Sequence, residues 1–157
     1  MSYKLSERSL ERLQGVHPNL IKVVKRAIEI SKQDFMVLEG VRTKERCMIN
    51  YGKGRTATQC SAKGIPTTYA SPSEAKVTWL NNPFNSKHCL QNDGLGHAVD
   101  LVPYPVDWNT LSKFDRIGEA MKQAAKELGV NIRWGADWDS NGKLREKGES
   151  DSPHFEI

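Results

Sequence analysis

Gly96-His97-Ala98-Val99-Asp100-Leu101-Val102-Pro103 is the stretch on which the reading of the fold turns. Ala98, Val99, Leu101 and Val102 surround a single carboxylate, and Pro103 and Pro105 follow at once. A short apolar run stopped by residues that cannot extend a hydrogen-bonded ladder reads as a strand. Downstream, Phe114, Ile117, Met121, Ala124, Ala125 and Leu128 recur at three- and four-residue spacing, predicting a helix over 111–128 that Gly129 ends. Ile132-Arg133-Trp134 predicts a second strand, Asp139-Ser140-Asn141-Gly142 a turn, and His154-Phe155-Glu156-Ile157 a final strand.

Upstream, Leu10 and Leu13 give 6–13 helical character, and Pro18 suits the first turn of a helix with Ile21, Val24, Ala27, Ile28 and Ile30 on its apolar side. Phe35-Met36-Val37-Leu38 reads as a strand and 43–51 as a helix. From Gly52 to Asn85, Gly, Thr, Ser, Pro and Asn dominate, so a long loop is expected, with a short helix near Ser73 to Lys76. Helices mixed with hairpin-like strands imply an α+β fold, a small antiparallel sheet with flanking helices, rather than an alternating α/β sheet. The 157 residues suit one domain over 1–157.

Hydrophobic residues make up 38% and charged residues 27% of the chain, a soluble globular profile. No apolar run approaches the roughly 18–20 residues that span a bilayer. The opening Met1-Ser2-Tyr3-Lys4-Leu5-Ser6 lacks the apolar core of a signal peptide. Synthesis in the cytoplasm is therefore expected, with access to any external substrate only after the membrane is permeabilised. The net charge of +4 favours polyanionic partners. However, Lys22, Lys25 and Arg26 are followed by Glu29, the pattern of a solvated helix face, and no basic face interleaved with stacking aromatics supports nucleic-acid binding. Cys47, Cys60 and Cys89 are odd in number and form no CxxC, so free thiols are expected. Cys89 adjoins His88 and competes as a metal ligand or nucleophile, but adjacent side chains on extended chain point to opposite faces.

His17 precedes a proline at a helix start, a structural placement. His88 and His154 lie instead in loop-to-strand contexts rich in Ser, Gly, Pro and carboxylates, where binding groups concentrate. Catalytic zinc takes three His, Cys or carboxylate ligands and leaves a position open. His88 and Asp100 meet that need only if the intervening chain folds back, and no HExxH helix fixes their geometry.

The ordered motifs are more specific. Ser86-x-His88, Gly96-x-Ala98-x-Asp100 and Asp151-x-Pro153-His154-Phe155-Glu156 resemble the zinc D-alanyl-D-alanine carboxypeptidase and L-alanyl-D-glutamate endopeptidase family. Gly40-Val41-Arg42-Thr43 is similar to its Gly-x-Arg-Ser/Thr segment, and Trp134-Gly135-Ala136-Asp137-Trp138 to its Trp-Gly-Gly-Asp-Trp. Gly15-Val16-His17-Pro18-Asn19-Leu20 resembles the phage endolysin branch. The resemblance implies a Hedgehog/DD-peptidase-like fold and a Zn2+ site made by His88, Asp100 and His154. It makes Asp151 the carboxylate that takes a proton from the attacking water and returns it to the leaving amine. Arg42 would face the scissile carbonyl, and Ser86 would support the substrate or the site by hydrogen bonding. On the residues alone, Asp151 also reads as a turn residue and Arg42 as a surface ion-pair partner.

One departure concerns spacing. Seven residues separate His88 from Gly96 where the family pattern has two. Strict spacing would substitute Asp93 for His88. The intact Ser86-x-His88 pattern favours His88, with the Gly-containing insertion bulging outward. His97 falls at a variable position, out of phase with Asp100.

The implied activity is that of a monomeric phage endolysin, a zinc metallopeptidase hydrolysing the L-alanyl-D-glutamate bond of peptidoglycan stems without inserting stably into a membrane. A D-alanyl-D-alanine carboxypeptidase is the nearest alternative. A non-catalytic zinc-bearing wall-binding module is a third, since the zinc-bearing Hedgehog signalling domain resembles the same fold. Asp151 and Arg42 weigh against the third reading, because a binding module needs no proton shuttle.

Overall fold

The computed structural model describes residues 2–79 and 82–157. Its helices are α1 (Glu7–Arg12), α2 (Pro18–Ile30), α3 (Lys44–Gly52), α4 (Ala57–Ala62) and α5 (Leu111–Leu128), with a short 3-10 turn at Thr67–Tyr69. Its strands are β1 (Phe35–Glu39), β2 (Ala98–Pro103), β3 (Arg133–Gly135) and β4 (Asp151–Glu156). They pair antiparallel in the order β1-β2-β4-β3. The fold is the expected α+β arrangement, a small antiparallel sheet with helices about it.

Local chemistry accounts for the helices. The His17 ring nitrogen Nδ1 accepts from the Asn19 N–H at the start of α2, and Pro18 fills the first position, where no intrahelical donor is lost. Leu20, Val23, Val24, Ala27 and Ile28 then form its buried stripe. Helix α5 buries Phe114, Ile117, Met121, Ala124 and Ala125 and ends where Gly129 turns left-handed at φ 67°. Leu128, expected on that apolar face, is exposed instead, because it lies in the last turn beyond the packed surface.

Helices α2 and α5 pack on each other and form one core with the sheet through Val37, Val99, Leu101, Trp134 and Phe155. Each fully buried side chain of this kind contributes roughly 1.5–3 kcal/mol from removal of apolar surface from water. In β2, Val99 and Leu101 alternate with Asp100, so the residues anchoring the strand in the core leave the carboxylate on the opposite face.

Two expectations are corrected. The span from Gly52 to Asn85 is more ordered than its composition suggests, while Leu80 and Asn81 within it lie outside the described residues. Thr56 and Gln59 form a reciprocal capping box that starts α4, whereas Ser71 to Glu74 is a turn and the expected helix near Ser73 is absent. Apolar periodicity could not reveal α4, whose ATQCSA sequence buries only Cys60.

The thiols differ as well. Cys47 in α3 is joined to Cys89 by a disulfide, and only Cys60 is free. The Arg42 N–H donates to the His88 carbonyl at 2.8 Å, and this bridge carries the start of α3 to Cys89. Closing a loop between residues 42 apart in sequence restricts the unfolded chain by about 4 kcal/mol in the chain-entropy account. Cys47→Ser is therefore expected to lower the Tm by on the order of 10 °C, as read by calorimetry without reductant. Equal Tm values for oxidised wild type and variant would show that the crosslink does not constrain the unfolded chain.

Candidate metal centre

Antiparallel pairing places Asp100 of β2 opposite His154 of β4, and cross-strand side chains at such a pair stand close together. His88 reaches the same point from the loop before β2. Its Nε2 lies 3.1 Å from Asp100 Oδ1, and His154 Nδ1 lies 3.3 Å from that oxygen. The three ligand atoms all fall within 4.8 Å of one another. A tetrahedral zinc bonded at about 2.0–2.1 Å holds its donors roughly 3.3 Å apart, so this donor set fits the ion in type and spacing.

Outer contacts fix which nitrogen faces inward. His88 Nδ1 lies 2.8 Å from the Gly40 carbonyl, an acceptor only, so Nδ1 carries the proton and Nε2 presents a lone pair. His154 is held in the reverse sense. Its Nε2 is 2.9 Å from Glu156 Oε1, leaving Nδ1 for the centre. Sequence reading placed Glu156 in the terminal motif without a role, although residues two apart on a strand share a face and that spacing was legible.

Negative charge converges here. Burial alone would lower the His154 pKa, but hydrogen bonds to Asp100 and Glu156 outweigh it and raise the pKa to about 9. Burial likewise opposes ionisation of Asp100, yet His154 and His88 hold its carboxyl well below the usual range. The carboxylates around His154 thus favour positive charge at this point.

Asp151 stands at the mouth, its side chain 55% exposed and its Oδ2 4.0 Å from His154 Nδ1. Partial desolvation raises its pKa, the His154 charge acts against this, and Asp100 adds to it. The expected turn between Asp151 and His154 is in fact a bulged strand. Trp134 pairs with Phe155 but Gly135 pairs with Asp151, so extra β4 residues loop out between these pairs. The bulge overrides the alternation that would set residues three apart on opposite faces. A Cβ at Gly135 would lie 2.1 Å from the Asp151 carbonyl oxygen, so only glycine permits this approach.

Arg42 lies between β1 and α3. Glu39 grips it through Nε at 2.8 Å and Nη2 at 3.3 Å, while Nη1 reaches Ser86 Oγ at 3.4 Å. The Ser86 hydroxyl also accepts from the His88 N–H. Glu39 was not foreseen, though an acid three residues before Arg42 was visible.

The alternative ligands lie elsewhere. Cys89 is in the disulfide, and Asp93 pairs with His97 at 2.7 Å. The loop that carries the insertion closes on itself through the Gln91 N–H to Leu95 carbonyl bond and a Leu90–Gly96 bridge. Asp137 and Asp139 join Glu149 in a second carboxylate group, where Asp137 faces Lys122 and the Asn141 and Gly142 N–H groups.

The sequence matches the family described as phage L-alanyl-D-glutamate peptidase over residues 1–70 and 70–157. The chain belongs to that family. This peptidase-family chain is 32% identical to the L-alanyl-D-glutamate peptidase of Escherichia phage T5, across 100% of its own length and 99% of the relative's. Its fold is similar to the crystal structure of the Serratia marcescens L-Ala D-Glu endopeptidase ChiX, with a TM-score of 0.60 and 28% identity, covering 99% of this chain and 90% of that one.

Proposed function

We propose that this chain is a phage endolysin that hydrolyses the L-alanyl-D-glutamate bond of peptidoglycan stem peptides in a single domain over 1–157. Its zinc would be held by His88, Asp100 and His154. The observation that carries the reading is the convergence of two histidines and one carboxylate beside a second, half-exposed carboxylate, in a chain matching this family along its length.

Bound there, zinc would supply a positive charge that polarises the scissile carbonyl and lowers the pKa of water to about 7. The chain's own residues do the rest. The Gly40 carbonyl and Glu156 hold the two imidazoles in their tautomers. Asp151 takes the proton of the attacking water and passes it to the departing glutamate nitrogen, a transfer its position near His154 and its exposure favour. Arg42, held on two sides by Glu39, offers Nη1 to the developing oxyanion, and Ser86 steadies that nitrogen. Among the described residues no helix is long and apolar enough to cross a membrane. The proposed enzyme reaches the wall once the membrane is breached and works as a monomer.

Mass spectrometry of digested peptidoglycan tests the bond. New glutamate amino termini are expected, with alanine left on the muramic acid side. Free D-alanine from pentapeptide stems, without new glutamate termini, would make the chain a carboxypeptidase.

A further inference from the structure

Next to the metal centre lies a cleft of about 230 Å³ lined by Arg42, Lys44, Phe84, Cys89 and Leu90. It shares a wall with the centre. Cys89 follows ligand His88, and Arg42 binds the His88 carbonyl through its main chain and Ser86 through its side chain. The disulfide to Cys47 ties α3, which begins at Lys44, to this wall.

The two cations of the cleft are not equivalent. Arg42 has its charge answered by Glu39. Lys44 is in no ion pair among the described residues, and its ammonium lies 5.8 Å from the centre of the Phe84 ring. Lys44 is exposed, Phe84 is half-buried and Leu90 is 57% exposed, so a positive charge with no carboxylate partner stands at the open rim of the cleft beside two apolar side chains. Such a place favours a carboxylate carried on a short aliphatic arm.

The proposed substrate carries such a group. A glutamate acylated at its amine by alanine retains two carboxyl groups, and the stem continues from only one. The other persists as a free carboxylate or as its amide, a few bonds from the scissile nitrogen. We propose that Lys44 is a specificity residue that binds this free carboxylate, so that the enzyme distinguishes acid from amide stems. The inference rests on the proposed endopeptidase activity.

The test compares two synthetic stem peptides that differ only in that carboxylate or carboxamide, each cleaved by wild type, Lys44→Met and Lys44→Arg. Wild type is expected to favour the acid by on the order of tenfold in kcat/KM, the scale of a charge-assisted hydrogen bond. Lys44→Met should bring the ratio to about one, and Lys44→Arg should restore most of it. Because both substrates meet the same protein, a folding defect lowers both rates and leaves the ratio intact. A wild-type ratio near one, or a preference that survives in Lys44→Met, overturns the proposal. Cleavage of neither peptide at the alanyl-glutamate bond by wild type removes the activity itself, and the specificity with it.

Discussion

Asp151→Asn is expected to lower stem-peptide cleavage by roughly 100- to 10,000-fold, the range for loss of general acid–base catalysis, while the protein still binds zinc. The two outcomes separate because of where Asp151 stands. The three ligand atoms that gather belong to His88, Asp100 and His154, whereas Asp151 Oδ2 keeps 4.0 Å from His154 Nδ1 and faces solvent. Asparagine preserves the size of the side chain and much of its hydrogen bonding, including the geometry of the β4 bulge, but cannot take up a proton. Asp151→Glu, the residue suggested by the family resemblance, should keep part of the activity. The decisive comparison is metal content by elemental analysis against turnover on purified peptidoglycan. A folded, zinc-loaded Asp151→Asn protein with near-normal turnover would remove Asp151 from the mechanism. Glu156, Asp137 or Asp139 would then be the candidates, although Glu156 already holds His154 and Asp137 is engaged by Lys122 and backbone N–H groups.

The second expected result concerns the metal. His88→Ala, Asp100→Ala and His154→Ala should each lose zinc and more than ~100-fold of activity, beyond the 10- to 100-fold typical of outer-contact mutations. A chelator should do the same to wild type. Asp93→Ala and His97→Ala should keep both metal and activity. The contrast follows from geometry: His88 is buried with both ring nitrogens committed, one to Gly40 and one toward Asp100. Asp93 spends one oxygen on His97 and the other on the Leu95 N–H at the exposed tip of the insertion. Release of zinc from Asp93→Ala, with retention in His88→Ala, would reverse the placement of the insertion.

Much of the fold was readable because its signals are local. Helix α5 followed from apolar spacing and a terminal glycine, and α2 from Pro18 and its buried stripe. Strand β2 followed from an apolar run closed by proline. Such patterns survive in sequence because the helix repeats every 3.6 residues and the strand every two. Helix α4 left no such trace, since its start depends on side-chain capping rather than on an apolar face.

The candidate site divides along the same line. The sequence by itself determined the residue types, their order and, through the family motifs, the choice of His88, Asp100, His154, Asp151 and Arg42. Tertiary structure alone decided what these residues meet. The β2–β4 register sets Asp100 against His154, and beside the bulge opposite Gly135 Asp151 Oδ2 comes to 4.0 Å from His154 Nδ1. The grip of Glu39 on Arg42, the Cys47–Cys89 crosslink and the cleft beneath Lys44 also depend on the fold. Periodicity is a property of neighbouring residues. Register, bulges and crosslinks depend on which distant segments the packed core holds together, and no local spacing carries that information.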